Sequence, residues 1–455
     1  MFICDISKLF IKDKMQILLT NFLNFQFQRN IYWIYILYIL VLILLTFLYS
    51  IAILDIHPIY IDENSNINIK NLGRENNKII ENLISSNEFK FNYLGIDFYT
   101  AKYPLLPYTI FFISKISKNF YFVLIFKNII FYSILFWSVF YYVLINIKKN
   151  KLLIFIVIII LLHFNPYNFH VMSNFYFEDF ANAIILPALF LLILTKSNSY
   201  FKFFVIGVLI SLLFLSKGSF TVFGYLFPLI FIFLNKKNFY SYVPLILFLI
   251  TSNIWSLHSY NKTGYYAFFN KNSSFNQREL AIPLQENFYK FYPFYSVDVI
   301  HNTKQIFKDR KKYGFDNIDN EWEFNELYKI RNVEYIKENY LRFIKDIFIK
   351  INFIFFYPYQ DGNTGSADIN KKEIKYMMII NKFFLLLGII LATKNIYNKC
   401  NSKKKFNEEL QYFLILSLII PIHLISWATS KHLVGICSVS IIYLVNSYID
   451  SKKNF

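Results

Sequence analysis

Apolar residues along this chain gather into long runs that are separated by short clusters of charged residues. Each run is roughly 14 to 28 residues long, and about 20 apolar residues in a helix span the hydrocarbon core of a bilayer. Helices are expected because every backbone polar group in lipid needs a partner within the chain. The runs predicted to span the membrane are 31–54, 120–147, 151–164, 181–195, 203–216, 219–234, 240–257, 377–393, 410–428 and 433–448.

This pattern predicts an all-α polytopic membrane protein with about ten transmembrane helices, interfacial helices and one large outer loop. Residues 1–257 form an N-terminal transmembrane module, which includes a first outer loop at 55–119. Residues 258–376 form the large outer loop, on the periplasmic or extracellular side. Residues 377–455 form a C-terminal membrane module of three helices.

Two further apolar stretches do not fit as spans. The first, 104–116, is too short, and the second, 340–357, is interrupted by charged residues. A Lys or Asp at mid-bilayer costs about 2.5–3.5 kcal/mol on insertion scales, whereas a helix with one charged face prefers the interface. We therefore expect both stretches to be interfacial helices on the outer membrane surface.

Composition agrees with a membrane protein, because the chain is 56% hydrophobic and only 17% charged, against about 25% charged in soluble domains. The first run, 31–54, is too long for a signal-peptide core and no small-residue cleavage site follows it, so an uncleaved anchor is expected. The cysteines, Cys4, Cys400 and Cys437, lie far apart and fit neither a metal site nor a disulfide framework.

The net charge of +18 would indicate a nucleic-acid partner if the protein were soluble. Here the basic residues lie in short connections between predicted spans, so the positive-inside rule explains them and no nucleic-acid partner is expected. An integral, multi-pass protein with both termini in the cytoplasm places all of these connections inside. They carry Lys8, Lys12, Lys14, Arg29, Lys148, Lys149, Lys151, Lys196, Lys202, Lys236, Lys237, Lys394, Lys399, Lys403, Lys404, Lys405, Lys452 and Lys453.

Carboxylates and lysines in the outer loops are the candidates for chemistry. Glu178 and Asp179 precede the span 181–195, and Lys217 lies in the turn between two spans. A lipid phosphate at the outer interface needs cations, and a nearby carboxylate can act as a base. The alternative is that such charges are solvated caps or snorkelling anchors. The sequence has no HExxH, P-loop, GxGxxG or GxSxG motif, and no metal site is expected.

Three short elements follow one another along the chain. Asp62-Glu63 follows the first span by eight residues, 95–105 reads Gly-Ile-Asp-Phe-Tyr-Thr-Ala-Lys-Tyr-Pro-Leu, and 215–219 reads Leu-Ser-Lys-Gly-Ser. This order resembles the C-type superfamily of lipid-phosphate-sugar glycosyltransferases, in its aminoarabinose-transferase and protein O-mannosyltransferase-like branch, often called family 39. Two positions depart from the pattern of that branch, because Tyr103 and Ser219 stand where it has prolines.

The resemblance implies an inverting glycosyltransferase that moves a sugar from a polyprenyl-phosphate donor to an acceptor at the outer face of the membrane. It implies no metal or other cofactor, and it leaves the acceptor open as a lipid, a glycan or a protein. The module 1–257 would be the catalytic one. The residues that the resemblance assigns to the donor phosphate are Lys102, Lys217 and Lys431.

The same resemblance assigns Asp62 as the base that acts on the acceptor hydroxyl, with Glu63 or Glu75 as stand-ins. Glu178 or Asp179 would orient the acceptor or assist. Two registers compete for the base. Counting from the first span gives Asp62, and counting back from the Lys-Tyr-Pro element gives a position beside Glu75. An insertion of about ten residues after Asp62 would reconcile them.

Two other classes of function stay open, namely a transporter, flippase or polymerase of lipid-linked glycans, and a non-catalytic relative of the transferases. Transporters usually carry ionisable residues at mid-membrane and show repeated halves. The predicted spans contain almost no ionisable residue at their centres, and no internal repeat is visible. An outer loop of over a hundred residues also favours an enzyme.

The predicted topology can be tested by cysteine labelling in intact cells, in a variant that lacks the native cysteines. A cysteine at Ser274, in the large outer loop, should react with a membrane-impermeant reagent. A cysteine at Ser402, in a basic connection, should react only after the membrane is permeabilised. Labelling at position 402 alone would overturn the topology.

Overall fold

The computed structural model describes residues 28–52, 74–93, 95–100, 103–163, 172, 181–235, 238–266, 311–312, 314, 320–355, 372–402, 407–425 and 434–453. This part of the chain is almost entirely helical. Its helices are α1 (Ile31–Ala52), α2 (Arg74–Ser86), α3 (Leu105–Ser114), α4 (Phe120–Asn146), α5 (Lys151–His163), α6 (Leu186–Leu194), α7 (Tyr200–Ser216), α8 (Phe220–Leu234), α9 (Val243–Thr263), α10 (Glu321–Glu338), α11 (Tyr340–Phe355), α12 (Lys372–Asn401), α13 (Asn407–Ile425) and α14 (Val434–Lys453).

Three short elements complete the described fold. A π-helical turn, Ala181–Ile185, leads into α6, and a 3-10 turn, Phe239–Tyr242, leads into α9. Strands β1 (Phe91–Tyr93) and β2 (Ile96–Phe98) pair antiparallel as a small hairpin between α2 and α3. The hairpin was not expected from the sequence, because three-residue strands are too short to show a period of two.

Each run predicted to span the membrane coincides with a described helix or helical pair. Within the described residues, the helices long and apolar enough to cross a membrane are Ile31–Leu48, Tyr121–Asn146, Phe239–Thr263, Ile379–Asn401 and Val434–Ser451. The shorter apolar helices are Leu105–Ser114, Lys151–His163, Ala183–Leu194, Tyr200–Ser216 and Phe220–Leu234. The long apolar helices indicate a membrane protein, and the figure of about ten spans stays a prediction.

Several basic connections meet at one end of the bundle, which we call the basic end. Asn146, at the end of α4, donates from Nδ2 to the Leu194 carbonyl at 3.0 Å, and its Oδ1 accepts from the Lys196 amide at 2.9 Å. Lys196 in turn lies 3.7 Å from both Glu408 and Asp450. The ends of α4, α6 and α14 and the start of α13 therefore lie together.

At the opposite end, α7 and α9 finish and α8 begins, and here the hairpin and α3 cover the bundle. We call this the hairpin end. Phe89, just before the hairpin, stacks on Tyr108 of α3 at a centroid distance of 5.5 Å and meets Trp255 of α9 edge-on at 5.5 Å. These aromatic contacts fix the segment between α2 and α3 on the helical bundle.

Close packing of α7 and α8 against α9 depends on small residues. A Cβ at Gly207 would meet the Pro244 backbone at 2.9 Å, and a Cβ at Gly224 would meet the Phe248 ring at 2.2 Å. Helices in lipid associate mainly through such close backbone approach, because apolar burial alone gives no advantage over lipid contact. The three helices therefore form a tight unit whose ends are fixed relative to one another.

The hairpin is held by charge. Lys90 lies 3.0 Å from Glu88 and 3.1 Å from Asp97, and the Asn92 amide donates to Asp97 at 2.9 Å. Burial raises the pKa of Asp97, but the hydrogen bonds from Asn92 and Lys90 outweigh it and leave this pKa below its usual value. Gly95, at φ +82°, supplies the left-handed residue of the turn.

The two stretches predicted to be interfacial are both helices. α3 buries Ile110, Phe111 and Ile113 against the bundle. α11 is amphipathic and leaves Leu341 and Phe348 exposed, which is the pattern of a helix with one apolar face. Their position at the membrane surface stays a prediction.

Candidate functional site

The most informative part of the hairpin end is the turn that joins α7 to α8. Lys217 is extended there, and its side chain is buried, with 8% of its surface exposed. The turn is closed by two backbone hydrogen bonds, from Phe220 N to Lys217 O at 3.1 Å and from Thr221 N to Gly218 O at 3.0 Å. The lysine therefore lies directly before the N-terminus of α8, where the helix dipole adds positive potential.

Two hydroxyl groups beside this turn have no hydrogen-bond partner. Ser219 is the N-cap residue of α8, but its side chain makes no capping bond, and its Oγ is buried without a partner. Thr221, in the first turn of α8, is 6% exposed, and its Oγ1 is also buried without a partner. Buried hydroxyls are nearly always paired, and leaving one unpaired costs about 1–3 kcal/mol. A ligand with several acceptor oxygens would remove this cost.

Tyr103, just before α3, reaches the same turn. A Cβ at Gly218 would come within 2.5 Å of Tyr103 Oη, so only glycine allows this approach. The Tyr103 ring also meets Phe214 of α7 edge-on, at a centroid distance of 6.4 Å. The Lys-Tyr-Pro and Ser-Lys-Gly-Ser elements, which are more than a hundred residues apart in the sequence, therefore lie in contact.

A π-helical turn lies before α6. The π-helical turn Ala181–Ile185 packs against α4, α7 and α14. π-helical turns are rare and are frequent at functional sites. Glu178 and Asp179 precede Ala181 in the sequence by three and two positions.

Most residues predicted from the sequence lie outside the described residues. Glu75 lies in the first turn of α2, where the structure describes the backbone alone. Of the predicted set, Lys217 is the one whose side chain is described. Those outside the described residues are Asp62, Glu63, Lys102, Glu178, Asp179 and Lys431.

A buried lysine, a helix N-terminus and two partnerless hydroxyls thus occur within the five positions 217–221, and these groups have the chemistry that an anion receptor needs. Among the described residues, no group of three or more His, Cys, Asp or Glu side chains lies close enough to hold a metal ion. Comparison of the chain with models of protein families, with curated proteins and with solved structures found no match. The functional argument therefore rests on the geometry of the Lys217 turn and on the order of the short elements along the sequence.

Two buried lysines lie within predicted spans, and neither was predicted from the sequence to be a functional residue. Lys127 of α4 is fully buried, and Lys382 of α12 is 7% exposed. Beside Lys127, Asn128 donates from Nδ2 to Thr46 Oγ1 at 3.0 Å and to the Met172 carbonyl at 2.7 Å. An ionisable residue inside a span is itself a signal of function, so the sequence contained the information needed to single out both.

The partnerless hydroxyl of Thr221 gives a direct test of the anion receptor. Thr221→Val keeps the shape of the side chain and removes the hydroxyl, so thermal unfolding in detergent should be unchanged or shifted upwards by the equivalent of at most about 1 kcal/mol. Affinity for polyprenyl phosphate should fall about threefold to tenfold, since one hydrogen bond to the anion is lost.

Thr251→Val is the matched control, because Thr251 Oγ1 donates to the Leu247 carbonyl at 2.9 Å. This variant should lose stability and keep its phosphate affinity. Equal phosphate affinity in Thr221→Val and the unmodified protein would remove this hydroxyl from the site.

Proposed function

We propose that this protein is a membrane glycosyltransferase that moves a sugar from a polyprenyl-phosphate donor to an acceptor at the outer face of the membrane, with inversion. The observation that carries the proposal is the buried Lys217 at the N-terminus of α8, beside the partnerless hydroxyls of Ser219 and Thr221. The order of the short elements along the sequence adds the class of donor. About ten spans and an outward-facing hairpin end complete the proposed topology.

A phosphate group bound at this turn explains why these residue types lie together. The Lys217 ammonium is a compact point charge, and lysine binds phosphate in this way in many sites. The two hydroxyls would donate to phosphate oxygens, which accept several hydrogen bonds. The site needs both charge and donors, because the donor lipid carries its phosphate at the membrane interface, where water still competes.

An apolar cleft lies farther along the same helix. The cleft has a volume of about 560 Å³ and is lined by Ile230 of α8, Ile389 of α12, and Phe413 and Pro421 of α13. Ile230 is nine residues beyond Thr221, which corresponds to about 14 Å along α8. A lipid whose phosphate binds at Lys217 can therefore follow α8 towards the cleft with its isoprenoid tail. The cleft is an appropriate surface for such a tail because its wall is almost wholly apolar.

The proposed reaction is a single displacement. The acceptor hydroxyl oxygen attacks the anomeric carbon from the face opposite the phosphate, the bond from that carbon to the phosphate oxygen breaks, and the hydroxyl proton passes to a carboxylate. The released polyprenyl phosphate gains one negative charge, which Lys217 and the N-terminus of α8 stabilise. Asp62 is assigned as the base, Glu63 and Glu75 are its alternatives, and Glu178 or Asp179 orients the acceptor. Lys102 and Lys431 are assigned to the phosphate with Lys217.

The role of Lys217 can be tested by donor binding. Lys217→Ala should weaken binding of polyprenyl phosphate about tenfold to a hundredfold, the usual effect of removing a hydrogen bond to a charged group, and should leave binding of polyprenol unchanged. Binding is measured by titration of the purified protein in detergent. Lys115→Ala is the control, because Lys115 is exposed and follows α3 at the same end of the bundle. A lysine that merely anchors the helix would lower stability without separating the two lipids.

The base can be identified by turnover, measured as release of polyprenyl phosphate from a labelled lipid-linked sugar. Asp62→Asn should lower the rate about 10²–10⁴-fold, as removal of a general base does, and leave expression and donor binding intact. Glu75→Gln should have a mild effect.

The reverse result would show that the register counted back from the Lys-Tyr-Pro element is the correct one. If neither substitution changes turnover, this loop does not carry the base. If the unmodified protein translocates the lipid-linked sugar in proteoliposomes without releasing polyprenyl phosphate, the transporter alternative replaces the transferase.

A further inference from the structure

A buried contact joins the two long outer segments. Glu321, the first residue of α10, accepts hydrogen bonds from Thr100 through both carboxylate oxygens. The Thr100 amide lies 3.1 Å from Oε2 and the Thr100 hydroxyl lies 2.9 Å from Oε1. Thr100 is 1% exposed and Glu321 is 4% exposed, and 221 positions separate them in the sequence. Burial of a carboxylate is costly, so its retention at this point calls for a reason.

The start of α10 is itself fixed firmly. Asn320 caps the helix, because its Oδ1 accepts from the amides of Trp322 at 3.0 Å and Glu323 at 3.1 Å. The Trp322 indole donates to Thr263 Oγ1 at 2.8 Å, at the end of α9. Glu321 is therefore held between an N-cap residue and a side chain that is docked on the α7–α9 unit.

Thr100 lies three residues before Tyr103, the residue whose hydroxyl approaches Gly218 beside Lys217. Three residues of chain span at most about 11 Å, so a displacement of Thr100 would also displace Tyr103 relative to the Lys217 turn. β2 ends at Phe98 and α3 begins at Leu105, so Thr100 lies in the connection between these two elements. Glu321 supplies a buried fixed point at Thr100 in this connection.

We propose that Glu321 is a positioning residue for the phosphate site. By holding the amide and hydroxyl of Thr100, it keeps the Lys-Tyr-Pro segment against the Lys217 turn and so couples the large outer segment to donor binding. This inference rests on the proposed function, because it assumes that the Lys217 turn binds the donor phosphate. Both oxygens of Glu321 accept from Thr100, which assigns the carboxylate to holding this segment.

Substitutions at this contact can distinguish a positioning role of Glu321 from a role as a catalytic base. Glu321→Ala removes both acceptors and leaves the buried Thr100 amide without a partner. Glu321→Gln keeps both hydrogen bonds, since the glutamine oxygen accepts from the Thr100 amide and its NH₂ group donates to the Thr100 hydroxyl, which can reverse its role. Thr100→Ser keeps the hydroxyl, and Thr100→Val removes it.

The test compares these variants for affinity towards polyprenyl phosphate and polyprenol, and for turnover, in the full-length protein in detergent. Glu321→Ala should weaken phosphate-lipid binding about tenfold and leave polyprenol binding unchanged. Glu321→Gln and Thr100→Ser should restore most of the affinity and turnover, and Thr100→Val should weaken binding and add little to Glu321→Ala. Glu334→Ala is the control, because Glu334 lies on α10 in a largely exposed pair with Lys312, 3.0 Å apart.

Each outcome decides between the possibilities. Equal losses for polyprenyl phosphate and polyprenol, or a loss of stability alone, would overturn the positioning role. So would loss of turnover with intact binding in Glu321→Gln, which would indicate proton transfer. If Glu321→Ala does not fold, the comparison of Thr100→Val with Thr100→Ser decides in its place.

The proposed function and the positioning role can fail separately. If Lys217→Ala binds the phosphate lipid normally, the proposed function fails. If Lys217→Ala binds it weakly and Glu321→Ala binds it normally, the positioning role alone fails.

Discussion

The requirement that polar groups in a bilayer find partners within the chain decides where chemistry can occur in this protein. Helices satisfy the backbone, so the polar side chains decide where partners are still needed. At the basic end, Asn146 pairs with Leu194 and Lys196, and Tyr142 donates to Asn446 at 2.6 Å, although Ser241 Oγ is buried there without a partner. At the hairpin end, Ser219 Oγ, Thr221 Oγ1, Trp255 Nε1 and His258 Nε2 are all buried without partners. Partnerless polar atoms are therefore concentrated at the hairpin end, although they are not confined to it.

Charged residues at the basic end are paired with one another. Lys399 lies 2.8 Å from Glu409, which is 1% exposed and also accepts a hydrogen bond from Tyr443. Burial raises the pKa of the neighbouring Glu408, although the cation of Lys196 opposes the change. Partly exposed pairs such as Lys196 with Glu408 contribute about 0–1 kcal/mol each. Cohesion at this end comes mainly from packing and from buried, fully paired groups.

The sequence predicted the helices well and the site only in part, for physical reasons. Long apolar runs identify helices because hydrophobicity is averaged over many residues, whereas the strands Phe91–Tyr93 and Ile96–Phe98 are too short for any period to emerge. Lys217 was predicted as a site residue because a charged residue in a turn between two apolar runs stands out in the sequence. Thr221 was missed because a hydroxyl becomes informative only when its missing partner is known. The contact of Thr100 with Glu321 is not visible locally, since no short-range pattern encodes a pair 221 positions apart.

The buried lysines bear on the choice between an enzyme and a transporter. Transport sites usually lie near the bilayer midplane. Lys127 is seven residues from the start of the predicted span 120–147, and Lys382 is five residues from the start of the predicted span 377–393. Lys127 therefore lies about 9 Å along the helix from the midpoint of α4, whereas Lys382 lies about 5 Å from the midpoint of its predicted span. Because Lys399, near the other end of α12, pairs with Glu409 at the basic end, both lysines lie towards the hairpin end. Lys127 is displaced from the midpoint of its span towards the hairpin end, whereas Lys382 lies near the depth at which transport sites usually occur, so the transporter alternative stays open beside the transferase.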